Sequence, residues 1–108
     1  MSTTPEVNSR YLKAADARDT RALVACFTHD GTVLDEGHTY RGHDQISAWR
    51  NGQAAKYRYT TQVTGSQPVS VDVFRVNARI EGDFPGGVVD LTFDFTLADG
   101  LIADLSIG

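Results

Sequence analysis

Residues 88–97 read VVDLTFDFTL. Val89, Leu91, Phe93, Phe95 and Leu97 fall on one side of an extended chain, and Asp90, Thr92, Asp94 and Thr96 fall on the other. Side chains of a strand alternate between its two faces. The pattern therefore predicts a strand with one face in the core and one in water, as in an antiparallel sheet covered on one side. ADG at 98–100 predicts a hairpin turn into LIADLSIG, and FPGG at 84–87 predicts the turn before. Upstream, FRVNARIEGDF at 74–84 sets Phe74, Val76, Ala78 and Ile80 against Arg75, Asn77, Arg79 and Glu81. In YRYTTQVT at 57–64, Tyr57, Tyr59, Thr61 and Val63 share a side. Between these two runs, VSVDV at 69–73 has the opposite phase, which predicts a turn or bulge close to residue 73 that resets the register.

Ahead of residue 57 the period is mostly helical. Pro5 suits a first helical turn, Thr3 or Thr4 can cap it, and Val7, Tyr11, Ala14 and Ala15 recur at helical spacing, predicting a helix over about 5–17. Asp19 reads as the cap of a second helix, with Leu23, Val24 and Phe27 on its apolar face, and HDG at 29–31 as its stop. TVLDE at 32–36 predicts a short strand, and GHTYRGHD at 37–44 predicts a loop punctuated by glycines. Asp44 then caps a third helix that ends near Ala55, with Ile46, Trp49 and Gln53 on one face. Helices first and a long antiparallel meander after them is an α+β pattern, with the helices packed on one face of a curved sheet. Where such a sheet curls around a helix without touching it everywhere, a small-molecule pocket results.

A chain of 108 residues is expected to form one domain spanning 1–108. A net charge of −4 leaves no basic face for phosphates, which argues against nucleic acid and against an anionic membrane surface. No apolar run approaches the ~18 residues of a membrane helix and no leader pattern opens the chain, so a cytoplasmic location is expected. Cys26 is the only cysteine, which excludes an internal disulfide; between Ala25 and Phe27 it reads as a small core residue. No nucleotide-binding glycine loop, nucleophile motif or thiolate cluster is present, so no cofactor and no metal is expected.

Three stretches taken together, YLKAADARDTRALVACFTHDGTVLDEG at 11–37, YRGHDQISAW at 40–49 and FPGGVVDLTFDFTLADGLIADLSI at 84–107, resemble the SnoaL-like branch of the nuclear transport factor 2-like superfamily. The resemblance implies a cone-shaped, highly curved antiparallel sheet of cystatin-like type, closed by about three helices of the N-terminal half. It also implies a homodimer formed through the sheet. The superfamily includes isomerases, cyclases, hydrolases and proteins without catalysis, so the fold does not settle the activity. In the similar steroid delta-isomerases, a tyrosine of the first helix stabilises a dienolate oxyanion and an aspartate of the first strand shuttles the proton. Tyr11 and Asp35 fall on those two positions. The second oxyanion donor of the isomerases, a protonated aspartate, falls on Leu91, while Asp90 and Asp94 alternate to the other face. Losing one such donor costs ~3 kcal/mol of transition-state stabilisation, roughly a hundredfold in rate, which argues against a faithful steroid isomerase.

Each candidate also has a structural reading. Tyr11 sits on the buried face of its helix and could be a core tyrosine; Asp35 must be paired or face a wet pocket. Trp49, Tyr57, Tyr59, Phe74 and Phe93, with Leu91, are inward by phase; as core residues they need no ligand, and in a pocketed fold a subset of them binds it. Trp49 and Tyr57 lead, because in relatives the third helix and the following strand border the mouth. Glu36 is expected in solvent, and His29 in a loop at a helix end. His38 and His43, with Asp35 or Asp44, could supply metal ligands, but five residues of glycine-bearing loop do not fix their direction. Arg41 and Asp44 are expected to pair across the turn. The leading expectation is a protein that binds a small, largely apolar molecule and transfers a proton beside its carbonyl, with Asp35 as shuttle and Tyr11 as donor. Its competitors are a non-catalytic binding module and a dimerisation domain whose pocket is filled by side chains.

Overall fold

The computed structural model describes residues 5–52 and 57–108. In these residues the chain runs α1 (Glu6–Asp16), α2 (Thr20–Val24), β1 (Phe27–Asp35), β2 (His38–Arg41), α3 (Gly42–Asn51), β3 (Tyr59–Pro68), β4 (Val73–Gly82), β5 (Val88–Ala98) and β6 (Leu101–Ile107). The strands form one curved, unclosed sheet in the order β2-β1-β6-β5-β4-β3, with the helices against one face. This is the α+β arrangement that the alternation predicts.

In the meander of β3 to β6, β4 and β5 follow the sequence pattern closely, whereas β3 leaves Val63 exposed and slips its register against β4 between Val63 and Gly65. Phe74, Val76, Ala78 and Ile80 of β4 and Phe93 and Phe95 of β5 are buried, and Arg75, Asn77, Thr92 and Asp94 lie on the opposite face. There Asp94 accepts both arms of the Arg75 fork, at 2.8 and 3.2 Å, and Thr92 Oγ1 donates to Asn77 Oδ1 at 3.1 Å. The phase reset before residue 73 is a turn, in which Val69 and Ser70 N–H groups donate to the Val73 carbonyl.

Four local expectations are corrected. HDG does not end α2, which stops at Val24; residues 29–31 belong to β1, and the register of β1 against β6 slips between Phe27 and Thr32. A bulge tolerates Gly31 and the polar pair before it, which a regular buried strand would not. GHTYRGHD is not a loop but a hairpin followed by a helix. Glu36 (φ 52°) and Gly37 (φ 77°) make the two-residue turn, and His38 pairs with Asp35 across it. Asp44 is not the cap of α3: Arg41 occupies that position, and the Gln45 side chain reaches back to accept from the Arg41 N–H at 2.8 Å. Asp44 instead lies in the first turn, where the helix dipole favours an acid, and no Arg41–Asp44 pair forms among the described residues. Finally, one pair in the sheet is parallel, β1 with β6. The connection through α3 carries the chain from one edge of the sheet to the other, and the meander then returns β6 alongside β1 in the same direction.

Asp19 does cap α2, accepting from the Ala22 N–H at 3.1 Å, and α1 starts after Pro5 without a side-chain cap. Thr3, Thr4, Gln53 and Ala55 lie outside the described residues. The core is built around Tyr11, Leu23, Phe27, Val33, Ile46, Phe95, Ile102 and Leu105. Cys26 is buried with them, its thiol pushed up by burial and pulled back by the charge of Arg10. No helix among the described residues is long and apolar enough to cross a membrane.

Candidate active site

A cavity of about 450 Å³ lies between the inner face of the sheet and the helices. Its lining comes from every side of the fold. Tyr11, Leu12 and Ala15 descend from α1, and Trp49 and Arg50 come from the end of α3. Asp35 and Glu36 come from the β1–β2 turn, and Tyr57, Tyr59, Leu91, Phe93 and Ile107 belong to the sheet side. Leu12, Ala15, Ile80, Phe84, Val89, Leu91, Phe93 and Ile107 give the wall its apolar part, and Asp35, Glu36, Arg50 and the tyrosines supply polar groups that could orient a ligand.

Tyr11 is placed by the i, i+3, i+4 repeat of α1, which turns it into the core. It is 2 % exposed and held edge-on between Phe27 and Phe95, at centroid distances of 6.0 and 5.5 Å. Burial pushes its phenol well above the ordinary tyrosine value, although the charge of Arg50 opposes this. The group therefore keeps its proton and has a hydrogen bond to donate. Among the described residues no acceptor takes that hydrogen bond, and the side chain lines the cavity.

Asp35 is the last residue of β1 and lines the same cavity. Its Oδ2 accepts from the Trp49 indole N–H at 3.1 Å, which fixes the carboxylate against α3. Partial burial raises its pKa above the usual aspartate value, and the neighbouring Glu36 adds to this. The Trp49 hydrogen bond, Arg50 and His38 pull in the other direction without cancelling it. A carboxylate poised upward in an apolar cavity is suited to taking a proton from carbon and returning it. Trp49 itself is stacked on Tyr40, with centroids 5.8 Å apart, and the Arg50 guanidinium carbon lies 5.2 Å from its ring, contacts that help to aim its N–H.

The family model of the SnoaL-like domain matches residues 5–96. This chain belongs to the SnoaL-like family. Among solved structures, this SnoaL-like protein is similar to SMa1630 of Sinorhizobium meliloti, a candidate polyketide cyclase, at 35% identity, with 97% of this chain and 95% of that one covered and a TM-score of 0.90. A protein of ketosteroid isomerase-like fold from Catenulispora acidiphila, solved with trimethylamine, is 24% identical over 98% of this chain and 86% of that one, with a TM-score of 0.87. Rv0760c of Mycobacterium tuberculosis, solved with estradiol-17β-hemisuccinate, shares the fold at 18% identity and a TM-score of 0.79, over 94% of this chain and 88% of that one. None of the curated proteins matches the chain.

In this SnoaL-like protein the residues singled out from sequence converge with one exception. Tyr11, Asp35, Trp49, Tyr57, Tyr59, Leu91 and Phe93 all line the cavity. Phe74 does not: it lies at the start of β4, opposite Pro68 and Phe95, while the cavity meets β4 at Ile80. Glu36, expected in solvent, is exposed but stands at the cavity's rim. The histidines go elsewhere. His43 Nε2 lies 3.1 Å from both the Phe27 and Thr28 carbonyls, so its N–H ties the start of α3 to β1, and the His29 ring lies 6.1 Å from it. His29 is thus a strand residue, and His38 is on β2. Among the described residues no group of three His, Cys, Asp or Glu is set to hold a metal ion. Asp94 is taken by Arg75 on the outer face, so it supplies no donor beside Leu91.

Arg50 is the functional candidate that the sequence reading passed over. Ile46, Trp49 and Arg50 stand at i, i+3 and i+4 of α3, which is the buried face of that helix. A cation at a position where the period calls for an apolar residue was the available signal.

Proposed function

We propose that this SnoaL-like protein binds a small, largely apolar carbonyl compound in the cavity and transfers a proton beside the carbonyl. Asp35 removes the proton from the carbon and returns it to another; Tyr11 donates to the oxygen on which negative charge develops. The reaction class is enolisation, leading to isomerisation or to aldol-type ring closure. The observation that carries the reading is that Tyr11 and Asp35 line one cavity, with Asp35 held by the Trp49 indole. The likeness to a candidate polyketide cyclase at 35% identity supports the same chemistry.

A bicyclic ketone carrying deuterium beside its carbonyl tests this by the rate at which the label is lost to water, followed by NMR. Asp35→Asn keeps the shape and the Trp49 hydrogen bond but cannot take a proton, so the rate should fall by about a hundredfold or more. Undiminished exchange in the variant would sink the proton-shuttle assignment. The apolar Leu91, standing where a second oxyanion donor would be, favours a second reading as a binding module without turnover. On that reading wild-type protein shows no exchange above buffer, and Asp35→Asn binds the ketone as well as wild type does.

A further inference from the structure

Arg50 is only 8 % exposed, and a buried cation normally has a carboxylate against it. Among the described residues no carboxylate pairs with Arg50, and the Arg75–Asp94 and Arg79–Glu81 pairs lie elsewhere. Residues 1–4 and 53–56 contain no Asp or Glu, so every acidic side chain of the sequence is among those described. Asp35, an acid in the same cavity lining, accepts from the Trp49 N–H instead. What Arg50 touches is the Trp49 ring, 5.2 Å from the guanidinium carbon. Such a contact takes the charge of the guanidinium and not its hydrogen bonds, and no acceptor among the described residues takes its N–H donors. The side chain lines the cavity, and its charge reaches both the Tyr11 phenol and the Asp35 carboxyl. Among the described residues a guanidinium is thus held in place, largely dehydrated, with no partner for its fork, beside the two groups assigned to proton transfer.

We propose that Arg50 is the receptor for a carboxylate on the ligand, so that the cavity selects apolar carbonyl compounds bearing one carboxylate group. The proposal rests on the cavity being a ligand site, as argued above, and it names the class of ligand. A planar carboxylate matches the planar fork with two parallel hydrogen bonds, which makes arginine more selective than a point charge would be. A phosphate ester suits the site less well: one cation among mostly apolar walls cannot neutralise a dianion, and Asp35 and Glu36 in the same lining would repel it. A monoanion seated on Arg50 restores neutrality there and lays its apolar frame along Leu91, Phe93 and Ile107.

Calorimetric titration at neutral pH with 2-naphthoate and with 2-naphthamide, the same frame without the charge, tests the assignment. Wild-type protein should bind naphthoate at least about tenfold more tightly than naphthamide. In Arg50→Met that preference should collapse to within about twofold while naphthamide still binds, and in Arg50→Lys it should persist but shrink, since the charge remains and the fork is gone. Equal affinity for the two probes in wild type, or a preference that survives Arg50→Met, would overturn the proposal and leave the cavity reading intact. Should Arg50→Met not fold, an undiminished preference in Arg50→Lys counts against the fork. If neither probe binds wild-type protein, the ligand-site reading falls as well, whereas a failure of Asp35→Asn to slow exchange would strike the proton shuttle alone.

Discussion

Asp35 lies between opposing influences. Burial and Glu36 raise its pKa, while the Trp49 hydrogen bond, Arg50 and His38 hold it down, and burial prevails. A folded-state pKa above the unfolded one means that the native protein binds the proton more tightly, so ionising Asp35 costs stability. That cost is absent below the ordinary aspartate pKa, develops as pH rises towards the raised value, and stays constant above it. Asp35→Asn should therefore melt at or above the wild-type temperature at pH 7, with the difference closing as pH falls below about 4. Thermal melts at several pH values check this, and a variant destabilised at neutral pH would show that the ionised carboxylate is needed for the fold. The same residue was legible in the sequence, because TVLDE ends a strand that must enter the core and leaves its acid at the boundary. Arg50 was legible only as a cation on the apolar stripe of its helix; its burial was not, because an arginine in a helix ordinarily sits in solvent and its burial depends on what the fold places opposite. Phe74 was misplaced for a different reason: alternation fixes the face of a strand but carries no information about depth along it.

At the level of elements, the sequence was most informative where one period persists. The β4 and β5 runs hold their alternation for a whole strand, and their faces came out as expected. The β1–β2 hairpin was hidden because its strands are short or bulged, and its turn, Glu36–Gly37, was read together with the later Gly42 as one glycine-rich loop. Elements also set the walls of the cavity through close approaches. At the end of β4, a Cβ on Gly82 would collide with the Arg58 carbonyl oxygen and come within 2.8 Å of the Tyr59 Cβ. Gly82→Ala should therefore push β3 away from β4 where Tyr59 and Tyr57 border the cavity, costing ~1–3 kcal/mol. Urea unfolding measures the loss; a variant as stable as wild type would mean that the strand ends yield without strain.

For the molecule as a whole, class and helix content could be read from the chain, whereas the sheet order could not. The parallel union of β1 with β6 joins residues some seventy positions apart, for example Val33 with Leu105. No local period encodes such a pairing; it follows from α3 taking the chain across to the far edge and from the need to bury the inner face of every strand. That arrangement is also what makes the site composite, since α1, α3, the β1–β2 turn and the sheet each supply one wall. The sequence contains a single tryptophan, and this fold sets it in that composite wall, bonded to Asp35 and beside Arg50. Trp49 is consequently a natural optical probe of the cavity. Its emission should shift to shorter wavelength when an apolar guest displaces water around the indole, and should follow the protonation of Asp35 in the empty protein. A guest seen by calorimetry that leaves this emission unchanged would have to be bound elsewhere. The residue that aims the carboxylate thus also gives the protein a light signal for occupancy, with no label attached.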